Sequence, residues 1–291
     1  MRHLIGIISC KMTKSMEITV DLLKKQHDFV IHVDKKTSIE EYDRIKKYVC
    51  FLKNRIDVRW GEFSQVEATL EIILYAKENK YDYVSIISES DLPMMNSQEM
   101  LQFLIIHKGS EFIGMKECYD SVPENLRYRY FSFLHGRSNL FRKIYKFFKI
   151  NKLFKNKYLQ FLPTIYKGNN WMSLSYDACA YIVEFLKNNK EYIQAFQESF
   201  LSDEIFFHTI LLNSPFKDKI YKKHLSDEYI SSARYILWSG GGSSGPEQLY
   251  AEKILDYKQD KNFLFFRKIS DKSDFKSYLD IIDKREKYGT D

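Results

Sequence analysis

Residues 83–94 read YVSIISESDLPM, and this stretch decides the fold. Six residues rich in Ile, Val and Tyr, with no charge among them, have the composition of a strand buried on both faces. The polar turn that follows ends it. Two runs of the same kind lie upstream, HLIGIIS at 3–9 and FVIHV at 29–33. The shorter apolar runs at 56–60 and 112–115 are also read as strands. Helical spacing fills the gaps. Residues 16–25 gather Ile18, Leu22 and Leu23 on one side; 65–76 gather Val66, Leu70, Ile73 and Leu74 behind Ser64 as N-cap; 97–106 gather Met100, Leu101 and Leu104 behind Ser97. Strand and helix in alternation predict an α/β fold with an open, mostly parallel central sheet flanked by helices. Ligands of such sheets bind beyond the carboxyl ends of the strands. That rule singles out Asp34, Trp60 and the loop 88–93.

The second half is less regular. Residues 171–174 are read as a strand, 176–188 and 203–212 as helices, and the charged tail 271–291 as a surface helix. The 291 residues are 44% hydrophobic and 29% charged, which excludes a disordered chain, and they are expected to form one domain. Within it, 1–115 would be the nucleotide-binding half and 116–270 the catalytic half. No run of about 18 apolar residues predicts a membrane-spanning helix. MRHLIGIISC is read as a first strand rather than a signal peptide. Cys10, Cys50, Cys118 and Cys179 form no C-x-x-C pair, so neither a zinc site nor a redox motif is expected. Buried free thiols and a reducing cytoplasm are the expectation.

Phosphate-binding loops are missing from the sequence: no G-x-G-x-x-G follows the first strand, and there is no Walker A motif. The glycine-rich run 239–246, SGGGSSGP, lacks the strand and helix that a phosphate loop needs and is read as a surface loop. No two aspartates stand one residue apart. Glu89 and Asp91 come nearest; they could share a hard cation, or Asp91 could bond the amides of its own loop. Asp203 and Glu204 follow Ser202 at a predicted helix start. Acids there are favoured by the helix dipole, by ~0.3–1 kcal/mol, and a carboxylate so directed is also a candidate general base. Arg234 in SARYILW, and Arg267 and Lys268 after FLFF, emerge from apolar runs. Such cations either face a phosphate or are ordinary strand-end charges.

The order HVDKK (32–36), VRWGEFSQVEATLEII (58–73), SESDLPM (88–94), GNNWMSLSYDACAYI (168–182), LSDEIFFHTIL (201–211), RYILW (234–238) and FLFFRKI (263–269) resembles the core-2/I-branching β-1,6-N-acetylglucosaminyltransferase and peptide O-xylosyltransferase family, particularly its bacterial members. The resemblance implies a GT-A fold and an inverting, metal-independent transfer from a UDP-sugar to a hydroxyl of a glycan, glycoprotein or lipid-linked acceptor. It places the catalytic base on Glu204 and the diphosphate on Arg234 and Lys268, with Arg267 beside them. His32 and Asp34 would meet the uridine half. Asp91, Trp171 and Asp203 would lie near the sugars, although Trp171 reads equally as a core residue. No cofactor is expected. Glu89 stands where the family commonly has Gly or an Ala-like residue, which leaves a metal contribution open. N-acetylglucosamine is favoured as the donor sugar, with xylose, galactose and glucose open. The other class of reading is a non-catalytic carbohydrate- or lipid-binding protein on a degenerate transferase scaffold.

The net charge of +6 is uneven. Eight of the 45 Lys and Arg lie in 137–157, RSNLFRKIYKFFKINKLFKNK, which has no acid; the remaining 37 face 39 acids. Helical spacing there gathers Phe141, Ile144, Tyr145 and Phe148. The segment reads either as a face for an anionic membrane, placing the enzyme at the inner surface of a membrane, or as a basic insert packed on the domain. A nucleic-acid partner is not expected.

Overall fold

The computed structural model describes residues 1–119, 121–129, 150–224, 227–238, 246–258 and 263–288. Residues 137–149 of the basic segment and 239–245 of the glycine-rich run lie outside the described residues. The strands are β1 (His3–Ser9), β2 (Asp28–Val33), β3 (Cys50–Phe51), β4 (Tyr83–Ser88), β5 (Leu92–Pro93), β6 (Glu117–Tyr119), β7 (Ile165–Lys167), β8 (Ser173–Ser175), β9 (Arg234–Ile236) and β10 (Phe265–Arg267). The main sheet has the order β3-β2-β1-β4-β8; all its pairs are parallel except β4 with β8. The predicted mostly parallel sheet is therefore present, with the 83–88 strand near its middle. A second sheet, β5-β10-β9, and an antiparallel pair, β6-β7, complete the sheets among the described residues.

Both faces of the main sheet are covered, as its continuous apolar runs demand. On one face Leu4, Val30, Val84 and Ile86 pack with Val66, Ile72, Ile73 and Ala76 of the second helix. On the other, Ile5, Ile7, Phe29 and Ile31 pack with Met16, Val20 and Leu23 of the first helix and with Met100 and Leu104 of the third. These helices are α1 (Lys14–Leu23), α2 (Ser64–Glu78) and α3 (Ser97–Ile106). Gly6 of β1 lets α2 approach closely, because a Cβ there would collide with Ile72.

Several expectations need correction. Residues 56–60 pair with no strand. The Ile56 amide donates to His32 Nε2 at 2.9 Å and the Ile56 carbonyl accepts from Lys35 N at 3.0 Å, so the segment crosses the sheet end. Residues 112–115 reduce to a single bridge between Phe112 and Ser173. Ser64 does not cap α2; its hydroxyl accepts from Arg59 N. The cap of α3 is Asn96, which forms a reciprocal capping box with Glu99. Cys179 is buried as expected, whereas Cys10 and Cys50 are exposed.

Candidate active site

Glu204 does not begin a helix. It closes a 3-10 turn, Ser202–Glu204, and the helix Phe206–Leu212 starts only after Ile205. Ser202 is no cap: its hydroxyl is buried and without a partner. The chain enters the turn through Leu201, held at φ 55, whose amide donates to Gly61 O at 2.8 Å. That bond brings the exposed Trp60, stacked edge-on against Phe200, to the rim of the same turn. The Glu204 carbonyl accepts from Gly168 N at 3.0 Å, and its Oε2 lies 3.1 Å from Lys167 Nζ. Gly168 makes this contact sterically feasible, since a Cβ there would strike the Gly114 carbonyl and come within 2.7 Å of His208 Nε2. Asp203 is buried and accepts from Asn170 Nδ2, leaving Oδ1 without a partner. Burial, with Glu204 adding to it, pushes the Asp203 carboxyl up to about 6.

A cationic cluster stands across from this turn. Asp91 is buried and accepts from Ser88 N at 2.8 Å and Ser88 Oγ at 3.0 Å, the loop bonding expected for it; Arg267 Nε lies 3.4 Å from Oδ1. The Arg267 guanidinium sits 3.7 Å above the Trp171 ring, so one face of that ring is already covered. Burial lowers the Arg267 pKa, opposed by Asp91. Lys268 follows on the exposed side of the strand end. Glu89 is pushed up by burial, and its Oε1 lies 3.6 Å from Cys10 Sγ. Among the described residues no three His, Cys, Asp or Glu side chains converge as a metal set.

Arg234 is the most enclosed of these cations, with Asp91 and Arg267 as its electrostatic neighbours. It is fully buried, and its Nη atoms donate to the carbonyls of Ser232, Ala233 and Met172 and to Ser173 Oγ, at 2.9–3.3 Å. The guanidinium also lies 5.0 Å from the Phe265 ring. Burial brings its pKa down to about 9. These bonds brace β9 against β8, and Nε is left without a partner.

His32 and Asp34 lie at the carboxyl end of β2. His32 is buried, and burial lowers it to about 4. Its Nε2 accepts from Ile56, so the neutral ring carries its proton on Nδ1, which has no partner. Asp34 accepts from Lys36 N at 2.8 Å and Lys36 Nζ at 2.9 Å.

Ten buried side-chain polar atoms lack a partner among the described residues, and they fall on His32, Asn170, Ser202, Asp203, His208, Glu228, Arg234 and Arg267. Every one of these residues is a sequence-predicted site residue or belongs to the elements around Glu204 and the cation cluster. Orphaned buried polar atoms are costly and rare in a settled core, so their concentration singles out this region as the candidate site. The sequence reading passed over Lys167, Asn170 and Glu228. Glu228 is 8% exposed, with Oε2 unpartnered; burial raises its pKa, with Lys116 and Glu204 among its electrostatic neighbours. As an acid in the first turn of a short helix behind Asp227, it carried no signal that distinguished it from a dipole-favoured surface residue.

The stretch 168–173 joins the two sides. Gly168 holds Glu204, Asn170 holds Asp203, Trp171 lies under Arg267, and Met172 and Ser173 hold Arg234. A candidate base, a buried acid and a cationic cluster are thus registered by one loop and one short strand.

The Core-2/I-Branching enzyme family matches residues 7–260, and the chain belongs to this family of glycosyltransferases. Its mostly parallel sheet flanked by helices is a GT-A-like arrangement. The chain is 23% identical over 209 residues to Xylosyltransferase sqv-6 of Caenorhabditis briggsae, covering 68% of this chain and 24% of that protein. It is 23% identical over 206 residues to Xylosyltransferase oxt of Drosophila pseudoobscura pseudoobscura, covering 66% of this chain and 22% of that protein. The matched region thus spans about a quarter of the length of these relatives. The crystal structure of A197 from STIV aligns over 45% of this chain and 53% of that chain, at 14% identity and a TM-score of 0.23.

Proposed function

We propose that the chain moves a sugar from a UDP-sugar to a hydroxyl of a glycan or glycoconjugate, with inversion and without a metal. The observation that carries this reading is the pairing of Glu204 with Lys167, on the loop whose Trp171 bears Arg267. Glu204 takes the proton of the acceptor hydroxyl. The oxygen forms its bond to the anomeric carbon as the bond to the diphosphate breaks, and UDP leaves from the opposite face. Lys268 and Arg267 stabilise the charge that builds on the diphosphate. Arg267 also neutralises Asp91, which leaves that carboxylate with less charge to offer a divalent cation. The His32 Nδ1 proton is suited to a carbonyl acceptor such as that of uracil, with Asp34 nearby at the end of β2.

N-acetylglucosamine is the first donor to test, on the family's branching chemistry, and xylose the second, on the relatives' names. The free thiols of Cys10, Cys50 and Cys179 fit a cytoplasmic setting. No helix among the described residues is long and apolar enough to cross a membrane. The test is UDP release from a panel of UDP-sugars in excess EDTA. Turnover of at least one donor supports the reading. Strict dependence on manganese would overturn the metal-free assignment and point to Glu89 and Asp91.

A further inference from the structure

We propose that the surface formed by residues 152–161 docks on an anionic lipid bilayer. From 125 to 176 the chain has eleven Lys and Arg and no Asp or Glu, a polarity found nowhere else in the sequence. Within the described part, Leu153 is 77% exposed, Phe161 48% and Phe154 44%, and the cations Lys152, Lys155 and Lys157 are interleaved with them. Lys152 lies 3.4 Å from Glu124, while among the described residues no carboxylate pairs with Lys155 or Lys157. Exposed apolar side chains between lysines match a bilayer surface: the apolar groups enter the acyl boundary while the ammonium groups stay at the anionic headgroups. A flat polyanion such as nucleic acid would use the lysines but would leave Leu153 and Phe161 in water.

The segment is firmly seated on the domain. Asn156 Nδ2 donates to the carbonyls of Leu126 at 3.0 Å and Ala195 at 2.7 Å, and Arg129 N donates to Phe154 O at 2.9 Å. The turn Leu159–Phe161 runs on into β7, which ends at Lys167 beside Glu204. On the transferase reading, a docked enzyme would meet an acceptor carried on lipid; that consequence rests on Glu204 being the base, whereas the docking does not.

The experiment is co-sedimentation of the full chain with phosphatidylcholine vesicles and with vesicles containing 30% phosphatidylglycerol, at low and high salt, with UDP-sugar hydrolysis measured in parallel. Binding to the anionic vesicles alone is expected. The double variant Lys155→Glu/Lys157→Glu should lower the bound fraction at least tenfold, and Leu153→Ser/Phe161→Ser several-fold at the same salt, both with unchanged hydrolysis and melting temperature. Absence of binding to anionic vesicles at low salt overturns the proposal. So does binding indifferent to Leu153→Ser/Phe161→Ser, which would indicate a general polyanion surface. A salt-resistant dimer that is lost in that same variant would assign the patch to a second copy instead and also overturn it. Hydrolysis reports on the transferase reading separately from all of these outcomes.

Discussion

Lys167 Nζ lies 3.1 Å from Glu204 Oε2, and the two residues are joined a second time through the Gly168 amide and the Glu204 carbonyl. The side-chain pair is fixed by a backbone contact one residue away, so the direction of the carboxylate is set by the fold. Lys167→Met should lower UDP-sugar turnover about tenfold, the size of one lost charge-assisted hydrogen bond, with UDP affinity unchanged. Lys167→Arg should retain most of the rate. Equal loss in both variants, or loss of UDP binding, would remove the positioning role.

The three arginine and lysine candidates should separate in a binding assay. Lys268→Ala should weaken UDP binding about tenfold, as expected for a lost hydrogen bond to a charged group, with stability unchanged. Arg267→Ala should weaken binding and also cost about 3–5 kcal/mol of stability, because Asp91 is left buried without a counter-charge. Arg234→Met should destabilise the fold while leaving UDP affinity of any folded protein within about threefold. Calorimetric titration with UDP, alongside urea unfolding, reads all three. Loss of UDP affinity in a folded Arg234→Met would return that residue to the diphosphate.

Asp203 sits on the unfavourable side of its own titration at neutral pH. Its folded pKa is raised to about 6 from the ordinary 3.8, so its contribution to stability is fully present below about 3.8 and lost as pH rises through about 6. Asp203→Asn should therefore be more stable than the wild type at pH 7.5, by on the order of 2 kcal/mol, and the advantage should shrink by pH 4.5. Urea midpoints at the two pH values check this. An advantage independent of pH would contradict the assignment.

The histidines act in the opposite sense. His32 is lowered to about 4 and His208 to about 3, and His3 and His27 are also lowered, in each case chiefly by burial. His3 Nδ1 meets His27 Nδ1 at 2.9 Å, and His27 Nε2 meets the Ser97 carbonyl at 3.0 Å. With His27 Nε2 donating to Ser97, a second proton on His27 would enter at Nδ1 and set two donors face to face with His3 Nδ1. Depressed folded pKa values leave the stability present above about pH 6.5 and lost as pH falls, because only the unfolded chain takes up protons there. At pH 5.5 His32 and His208 should each cost about 1.4 kcal/mol relative to pH 7.5. The urea midpoint should fall accordingly, and an unchanged midpoint would contradict the burial of these rings as neutral species.

Much of the sheet was legible because β1, β2 and β4 are uninterrupted apolar runs, each followed by polar residues, and α1, α2 and α3 keep helical period. Residues 56–60 misled because Ile56, Val58 and Trp60 alternate as in a strand, while their backbone bonds go to an imidazole and a loop. The strands β8, β9 and β10 are three residues each, too short for periodicity to place their ends. The acidic pair Asp203 and Glu204 stood out in the sequence, but the 3-10 turn did not, because Ser-Asp-Glu before an apolar run also spells a capped helix. Nothing local distinguishes the buried Arg234 from the exposed Lys268: each is a cation at a strand end, and only the partner strand decides which is enclosed.

Glu204 is proposed as the base of a UDP-sugar transfer. The most direct measurement is UDP release from a UDP-sugar panel by the wild type and by Glu204→Gln, with UDP affinity measured on both. Turnover of at least one donor by the wild type is expected, with a loss of roughly 10²–10⁴-fold in the variant and UDP affinities within about threefold of each other. Glu204→Gln turning over at the wild-type rate would contradict it.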